Sequence, residues 1–84
     1  MIKKERPPSI YVANLPENFF NLELEKLFKA QGFHPIGATV VTDKVTKKPM
    51  NYGFVSFSSQ EGAQRACDKM NNFELKGKYL RVSV

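Results

Sequence analysis

Three aromatic side chains in two short stretches have a spacing that suits a binding surface. In Met50–Phe57 (MNYGFVSF), strand alternation places Tyr52 and Phe54 on the same face. In Ile10–Leu15 (IYVANL), the same alternation turns Tyr11 outward. The outer face of a half-buried strand normally carries polar groups, whereas exposed rings there can stack against flat conjugated groups. The pattern therefore predicts a sheet with one binding face.

Length and composition restrict the class of protein. The 84 residues, 42% hydrophobic and 25% charged, describe one small folded domain with a modest core. The single cysteine, Cys67, excludes an internal disulfide, and neither it nor the lone His34 has metal-ligand spacing. We expect no catalytic centre, no metal and no cofactor. We also expect a nuclear or cytoplasmic location, because cysteine is scarce and no signal-peptide or membrane-spanning stretch is present.

The formal net charge of +5 is unevenly distributed along the chain. Segments 43–48 and 74–81 carry six basic residues against two acidic ones, whereas segments 17–31 and 58–72 are nearly neutral overall. Positive charge therefore accompanies the predicted strands and loops, which favours a polyanion beside the sheet. For the Lys44–Lys48 loop, contact with phosphate and a merely solvated run of charge remain alternatives.

Hydrophobic periodicity predicts the elements that position the aromatic residues. Strands are predicted at Ser9–Ala13, Ala38–Thr42, Met50–Phe57 and Lys78–Val84, and helices at Asn21–Gln31 and from the Ser58 cap to Asn71–Asn72. Residues 1–8 are predicted to be a flexible basic lead-in to a domain at 9–84.

The element order predicts an α+β fold. It is a ferredoxin-like β-α-β-β-α-β sandwich, with two helices on one face of a four-stranded antiparallel sheet. Right-handed crossovers place the first and third strands at the centre of that sheet. Tyr11, Tyr52 and Phe54 then become neighbours on the face that no helix covers.

Local features predict the ends of the elements. Asn21 is a candidate N-cap for the first helix, with Phe19–Phe20 in the core or as a hydrophobic staple. Ser58 and Glu61 fit a capping box for the second helix. Lys78–Val84 is interpreted as one continuous strand with alternating inward and outward side chains.

Two motifs resemble those of the RNA recognition motif family, and the resemblance covers about residues 9–84. Met50–Phe57 resembles the family's first ribonucleoprotein motif, K/R-G-F/Y-G/A-F-V-x-F/Y, and Ile10–Leu15 resembles the second. Met50 stands where the family has a basic residue paired with phosphate, and Asn51 stands where it has glycine. Within the family, Ala63–Phe73 (AQRACDKMNNF) resembles the ELAV and CUG-binding (Bruno-like) multi-domain regulators.

The resemblance implies a non-catalytic module that binds about 2–4 nucleotides of single-stranded RNA. Successive bases would stack on Tyr11 and on Tyr52 or Phe54, and the remaining ring would pack against a sugar. Lys47 and Lys48 are the candidates to replace the phosphate contact missing at Met50, and the sequence leaves that replacement open. The module would be a monomer and one domain of a larger RNA-processing or mRNA-regulating protein. The other candidate RNA-binding residues are Asn14, Thr39, Val41, Met50, Asn51, Ser56, Tyr79, Arg81 and Ser83.

Three alternatives differ in ligand or in class. Single-stranded DNA could replace RNA, because stacking alone does not distinguish them. A protein-interaction module would bind a peptide through the sheet or the helix face, typically after losing the surface aromatic residues. A small enzyme resembling acylphosphatase would need an anion-cradling loop and an arginine after the first strand, and Ala13–Pro16 (ANLP) offers neither.

Overall fold

The computed structural model describes residues 8–84. In chain order, its elements are β1 (Ser9–Ala13), α1 (Asn21–Ala30), β2 (Gly37–Thr42), β3 (Pro49–Ser56), α2 (Gln60–Met70), β4 (Glu74–Leu75), β5 (Lys78–Tyr79) and β6 (Arg81–Ser83). The predicted flexible lead-in lies outside the described residues except for Pro8. The Pro8 carbonyl accepts a hydrogen bond from the Phe57 N–H at 2.8 Å, which extends the pairing of β1 with β3.

The main sheet has four antiparallel strands in the order β2-β3-β1-β6. This order confirms the predicted ferredoxin-like α+β sandwich, with β1 and β3 at the centre. The inner face of the sheet and the inner faces of both helices form one buried cluster. It includes Ile10, Val12, Val40, Val55 and Val82 from the strands and Leu24, Phe28, Ala63, Ala66, Cys67 and Met70 from the helices.

Cys67 contributes to this cluster as a small hydrophobic residue. Burial, with a smaller effect from the Asp68 carboxylate, raises the pKa of its thiol. The Cys67 Sγ donates to the Val82 carbonyl at 3.6 Å. A protonated, buried thiol is a poor nucleophile, so the structure places this cysteine in the packing of α2 against β6.

The start of α1 differs from the prediction. The residue preceding the helix is Phe20, whose N–H donates to the Glu23 carboxylate at 3.0 Å. Asn21 is the first helical residue, and its Oδ1 accepts instead from the Val40 N–H of β2 at 2.7 Å. The predicted cap at Asn21 is therefore wrong, because this side chain is bound to the sheet. Phe19 is buried as predicted, but Phe20 is 43% exposed and does not belong to the core.

The predicted cap at Ser58 is also wrong, by one residue. Ser59 is the N-cap of α2, and its Oγ accepts from the Gly62 N–H at 3.0 Å. The shift arises because Phe57 still pairs with Pro8, so the turn into the helix begins later. Glu61 instead forms an exposed ion pair with Arg65 at 3.2 Å.

The predicted final strand is interrupted at Leu80. The Leu80 N–H donates to the Phe73 carbonyl and its carbonyl accepts from the Asn72 N–H, at 2.9 and 2.8 Å. The backbone of Leu80 is thus bound to the segment after α2. A separate two-stranded ribbon of β4 and β5 forms there, and it contains Tyr79. The first part of Lys78–Val84 therefore does not belong to the main sheet.

An asparagine side chain binds the backbone at each edge of the main sheet. Asn21 accepts from Val40 of β2, and Asn71 Oδ1 accepts from the Val82 N–H of β6 at 3.1 Å. Open edge donors invite pairing with another chain. These two bonds occupy one such donor on each outer strand and tie the helices to the sheet.

The loop between β2 and β3 is organised by Asp43. Its carboxylate accepts from the N–H groups of Val45 and Thr46 at 2.7 and 2.9 Å. The Asp43 N–H and carbonyl bond to the backbone of Lys48 and Lys47 at 2.8 and 2.9 Å. The basic loop therefore leaves the sheet as a closed turn, in which the lysine side chains are exposed.

Gly53 lies in β3 between the two strands that pair with it, β1 and β2. It pairs with Val12 on one side and with Val40 on the other. A Cβ at this position would overlap the Thr39 carbonyl oxygen and would lie 2.9 Å from the Val40 Cα. Only glycine therefore allows β2 to approach β3 in this register.

We expect Gly53→Ala to lower the free energy of unfolding by about 1–3 kcal/mol, since backbone must move to admit the methyl group. Gly37→Ala is the matched control, because a Cβ there meets no atom within 4 Å. Its effect should stay within about 0.5 kcal/mol. Urea unfolding of both variants measures the difference, and equal losses would contradict the proposed close approach.

The Asp43 turn should open in acid. The two backbone N–H bonds hold the pKa of this carboxyl below its ordinary value. A depressed folded-state pKa means that the stabilisation is present above the unfolded-state pKa and is lost as pH falls through the lower, folded-state value. We expect the amide resonances of Val45 and Thr46 to titrate below about pH 4. A midpoint above that pH would contradict the hydrogen-bonded turn.

Candidate nucleic-acid interface

A row of four side chains crosses the sheet on the face away from the helices. Thr39 of β2, Phe54 of β3, Tyr11 of β1 and Ser83 of β6 are successive register partners. Residues directly opposite in antiparallel strands point to the same face, so these four side chains lie side by side. The Tyr11 and Phe54 side chains are 38% and 43% exposed, whereas the neighbours of Tyr11 in β1 are buried.

A second row runs parallel to the first. Tyr52 pairs with Ala13, and Ala13 pairs on its other side with Arg81. Tyr52 is half-buried and Arg81 is exposed. The Tyr11 ring lies between the other two rings, with centroids 5.7 Å from Tyr52 and 5.6 Å from Phe54 and interplanar angles of 46° and 56°. We call Tyr11, Tyr52 and Phe54 the aromatic platform.

The aromatic platform stands on the two central strands. Its three residues belong to β1 and β3, and β1 pairs with β3 along its whole length. The rings face away from the buried cluster and leave π-surface open to solvent. Such a surface can receive flat, conjugated ligands, and it needs little rearrangement because the backbone beneath it is held on both sides.

The N-terminal part of β3 departs from regular pairing with β2. Val40 is opposite Gly53, but Thr42 is opposite Pro49, so β3 contains extra residues in between. Asn51 has a φ of +67°, and its carbonyl accepts from the Leu15 N–H at 2.9 Å. The family motif has glycine at this position. Asparagine tolerates positive φ better than most residues, so Asn51 can keep the backbone shape that glycine would give.

The predicted polar and basic residues do not all meet at the platform. Asn14 has a φ of +65° and its amide donates to the Tyr79 carbonyl at 2.8 Å, so it ties the end of β1 to the ribbon. Tyr79 is 56% exposed but lies outside the main sheet. Its predicted place in the same strand as Arg81 and Ser83 is therefore wrong.

The other candidates surround the platform at different distances. Ser56 pairs with Ser9 and Gly37 at the far end of the sheet and is half-buried. Val41 is half-buried at the register break, and Met50 is 45% exposed on the irregular part of β3. The lysines of the Asp43 turn lie beyond that break, at the end of the sheet nearest Tyr52.

Sequence reasoning missed a polar cleft beside this end of the sheet. It is lined by Glu17, Asn18, Lys48, Pro49 and Asn51. Glu17 and Asn18 follow β1, whereas Lys48 immediately precedes β3 and the other two belong to it. Residues distant in sequence therefore line one cleft. Of these residues, Lys48 and Asn51 are predicted RNA-binding residues, and the other three are not. No local pattern marks Glu17, because its position depends on the bond between Leu15 and Asn51.

The described residues offer little for other kinds of site. Within 8–84, no group of three or more His, Cys, Asp or Glu side chains could hold a metal ion. None of the helices in that range is long and apolar enough to cross a membrane.

Comparisons with known proteins agree with this architecture. The chain is 38% identical over 74 residues to the chloroplastic 29 kDa ribonucleoprotein A of Nicotiana sylvestris, covering 88% of this chain and 27% of that protein. The second RRM domain of yeast poly(U)-binding protein (Pub1) is 35% identical, with a TM-score of 0.80 and 89% of each chain covered. An Sxl-lethal protein/RNA complex is 31% identical, with a TM-score of 0.80, covering 93% of this chain and 46% of that one.

The family model for the RNA recognition motif matches residues 10–81. This range contains both motifs on which the sequence resemblance depended, and it confirms the predicted family. The chain spans about a quarter of the ribonucleoprotein relative's length. This chain belongs to the RNA recognition motif family, a family of non-enzymatic RNA-binding domains.

Proposed function

We propose that this chain binds about 2–4 nucleotides of single-stranded RNA by stacking bases on the aromatic platform. The observation that carries the proposal is the exposure of Tyr11 and Phe54, side by side, on a sheet face that neither helix covers. The named relatives support it, since they include a ribonucleoprotein, a poly(U)-binding protein and a protein in complex with RNA.

Stacking supplies enough free energy to matter for such a module. Base–aromatic stacking contributes about 1–3 kcal/mol per base. Two stacks thus provide a substantial part of the roughly 8 kcal/mol that corresponds to a micromolar dissociation constant. Tyr11 and Phe54 are the more exposed rings and take the first two bases. Tyr52 is half-buried and contacts a sugar or the edge of the next base.

Polar side chains flank the platform on both sides of its first row. Thr39 lies beyond Phe54 on β2, whereas Ser83 lies beyond Tyr11 on β6. Arg81 is exposed in the second row. Hydroxyl and guanidinium groups in these positions can reach the edges of bases whose faces rest on the rings. We assign to these three side chains the selection of bases over other flat ligands.

The phosphate contact is assigned to the Asp43 turn. Met50 has no charge, so it cannot pair with phosphate as the basic residue of the family motif does. Lys47 is exposed and does not line the cleft that contains Glu17. Lys48 does line that cleft, where the Glu17 carboxylate repels an approaching phosphate. We therefore assign the contact to Lys47.

A setting for the module is suggested by the ribonucleoprotein relative. The chain covers only part of the ribonucleoprotein it resembles, and we propose that it works as one domain of a larger nuclear or cytoplasmic RNA-processing protein. Linked modules of modest affinity gain from effective concentration. Fluorescent tagging of the full-length protein tests the location, and a chloroplast or mitochondrial signal would contradict it.

Removing a platform ring should weaken RNA binding. Tyr11→Ala and Phe54→Ala should each raise the dissociation constant for a random pool of short RNA about fivefold to 150-fold, because each loses one stack. Fluorescence anisotropy measures the change. Tyr79→Ala is the matched control, since it removes an exposed tyrosine that lies outside the main sheet.

Affinity unchanged in folded Tyr11→Ala and Phe54→Ala proteins would contradict stacking. An equal loss in Tyr79→Ala would show that the effect is not specific to the platform. Binding to a peptide pool but not to RNA would favour the protein-interaction alternative. Equal affinity for matched single-stranded DNA would show that 2′-hydroxyl contacts contribute little.

Lys47→Ala should make binding less dependent on salt. The plot of log affinity against log salt has a negative slope. Loss of one phosphate contact on a single strand reduces the magnitude of that slope by about 0.7. Lys26→Ala on α1 is the control, because this exposed lysine has the same charge and lies on a helix away from the platform. If both variants show the same slope as the unmodified chain, the assignment to Lys47 is wrong.

A further inference from the structure

The cleft beside the aromatic platform has features of a base-reading site. Two of its lining residues, Asn51 and Pro49, belong to β3, and Asn51 immediately precedes Tyr52 of the platform. One wall of the cleft is therefore adjacent in the chain to the aromatic platform. Glu17 and Lys48 supply a carboxylate and an ammonium group to its walls.

The walls of the cleft are held together by backbone structure. The Leu15 N–H donates to the Asn51 carbonyl at 2.9 Å, so the loop after β1 is fixed against the end of β3. Asn18 and Asn51 both have positive φ, at 59° and 67°. Glu17 and Lys48 line the same cleft in the folded chain.

Among residues 8–84, no ion pair engages either charge of the cleft. The ion pairs of that range join Lys29 with Glu25 and Arg65 with Glu61. The Glu17 carboxylate repels phosphate, which argues against this wall as a contact for the RNA backbone. The same carboxylate is well suited to accept hydrogen bonds from the edge of a base.

We propose that this cleft selects guanine, read through its Watson–Crick edge. The inference rests on the proposed function and adds to it the identity of one base. The N1–H and N2–H₂ groups of guanine are adjacent donors that one Glu17 carboxylate can accept together, while O6 accepts from Lys48 or from the Asn51 amide. Uracil offers one N–H between two carbonyls, and cytosine and adenine each offer one amino group beside an acceptor nitrogen. Only guanine matches the whole arrangement.

The test uses short uridine oligomers in which one position is changed to guanosine, adenosine, cytidine or inosine, and the changed position is moved along the strand. Guanosine should increase affinity about fivefold or more at one position, the discrimination typical of a good bidentate contact. Inosine lacks the N2 amino group and should recover only part of the gain. Anisotropy titration measures each affinity.

Glu17→Gln should remove the guanosine preference, because an amide has only one acceptor atom and cannot receive both donors. Binding to the all-uridine strand should stay within about twofold, since stacking and phosphate contacts remain. Glu61→Gln is the control, because it removes the same charge from α2, away from the platform. It should keep the preference. Circular dichroism checks that both variants are folded.

The outcomes separate the two proposals. RNA binding without a preference for guanosine, a preference for adenosine or cytidine, or a guanosine preference that survives Glu17→Gln would overturn the inference and leave the proposed function standing. Absence of binding to every oligomer would overturn the proposed function and this inference with it.

Discussion

Strict alternation along β1 and β3 is the constraint on which the binding surface depends. Ile10, Val12 and Val55 are at most 1% exposed, whereas Tyr11 and Phe54, between and beside them, are about 40% exposed. A slip of one residue in either strand would bury the rings and expose the aliphatic core. The free energy that holds the core together, about 1.5–3 kcal/mol for each fully buried aliphatic side chain, therefore also holds the platform in place. Gly53 contributes by letting β2 pair closely with the same strand.

Polar side chains complete the frame where strand pairing ends. Asn21 and Asn71 bind backbone donors on the two outer strands, and Asn14 ties β1 to the small ribbon. Asp43 closes the basic turn. Each of these residues replaces a backbone partner that the sheet itself cannot supply. The result is a rigid central surface with charged or polar groups at its margins, an arrangement suited to a ligand with flat bases and a charged backbone.

The sequence was sufficient for the central strands and insufficient for the ends of elements. Met50–Phe57 and Ile10–Leu15 have strong alternation, so the positions of Tyr11, Tyr52 and Phe54 follow from period alone. The N-cap of α2 could not be chosen this way, because Ser58 and Ser59 are both good caps. The choice depends on the hydrogen bond from Phe57 to Pro8.

Other misses have the same origin in contacts between distant residues. Asn21 looks like a helix cap until β2 is placed beside it, and Leu80 looks like a strand residue until the segment at 72–73 binds its backbone. Glu17 carries no local signal at all. It becomes a candidate only when the loop after β1 is placed against the bulge in β3.

The most direct test of the account is to map a short RNA on the isotopically labelled chain by nuclear magnetic resonance. Intermolecular nuclear Overhauser effects should connect base and ribose protons with the rings of Tyr11 and Phe54, while the outward residues of α2, such as Gln64, stay unperturbed. Contacts to α2 with no signal from either ring would contradict the claim that bases bind on the open face of the sheet.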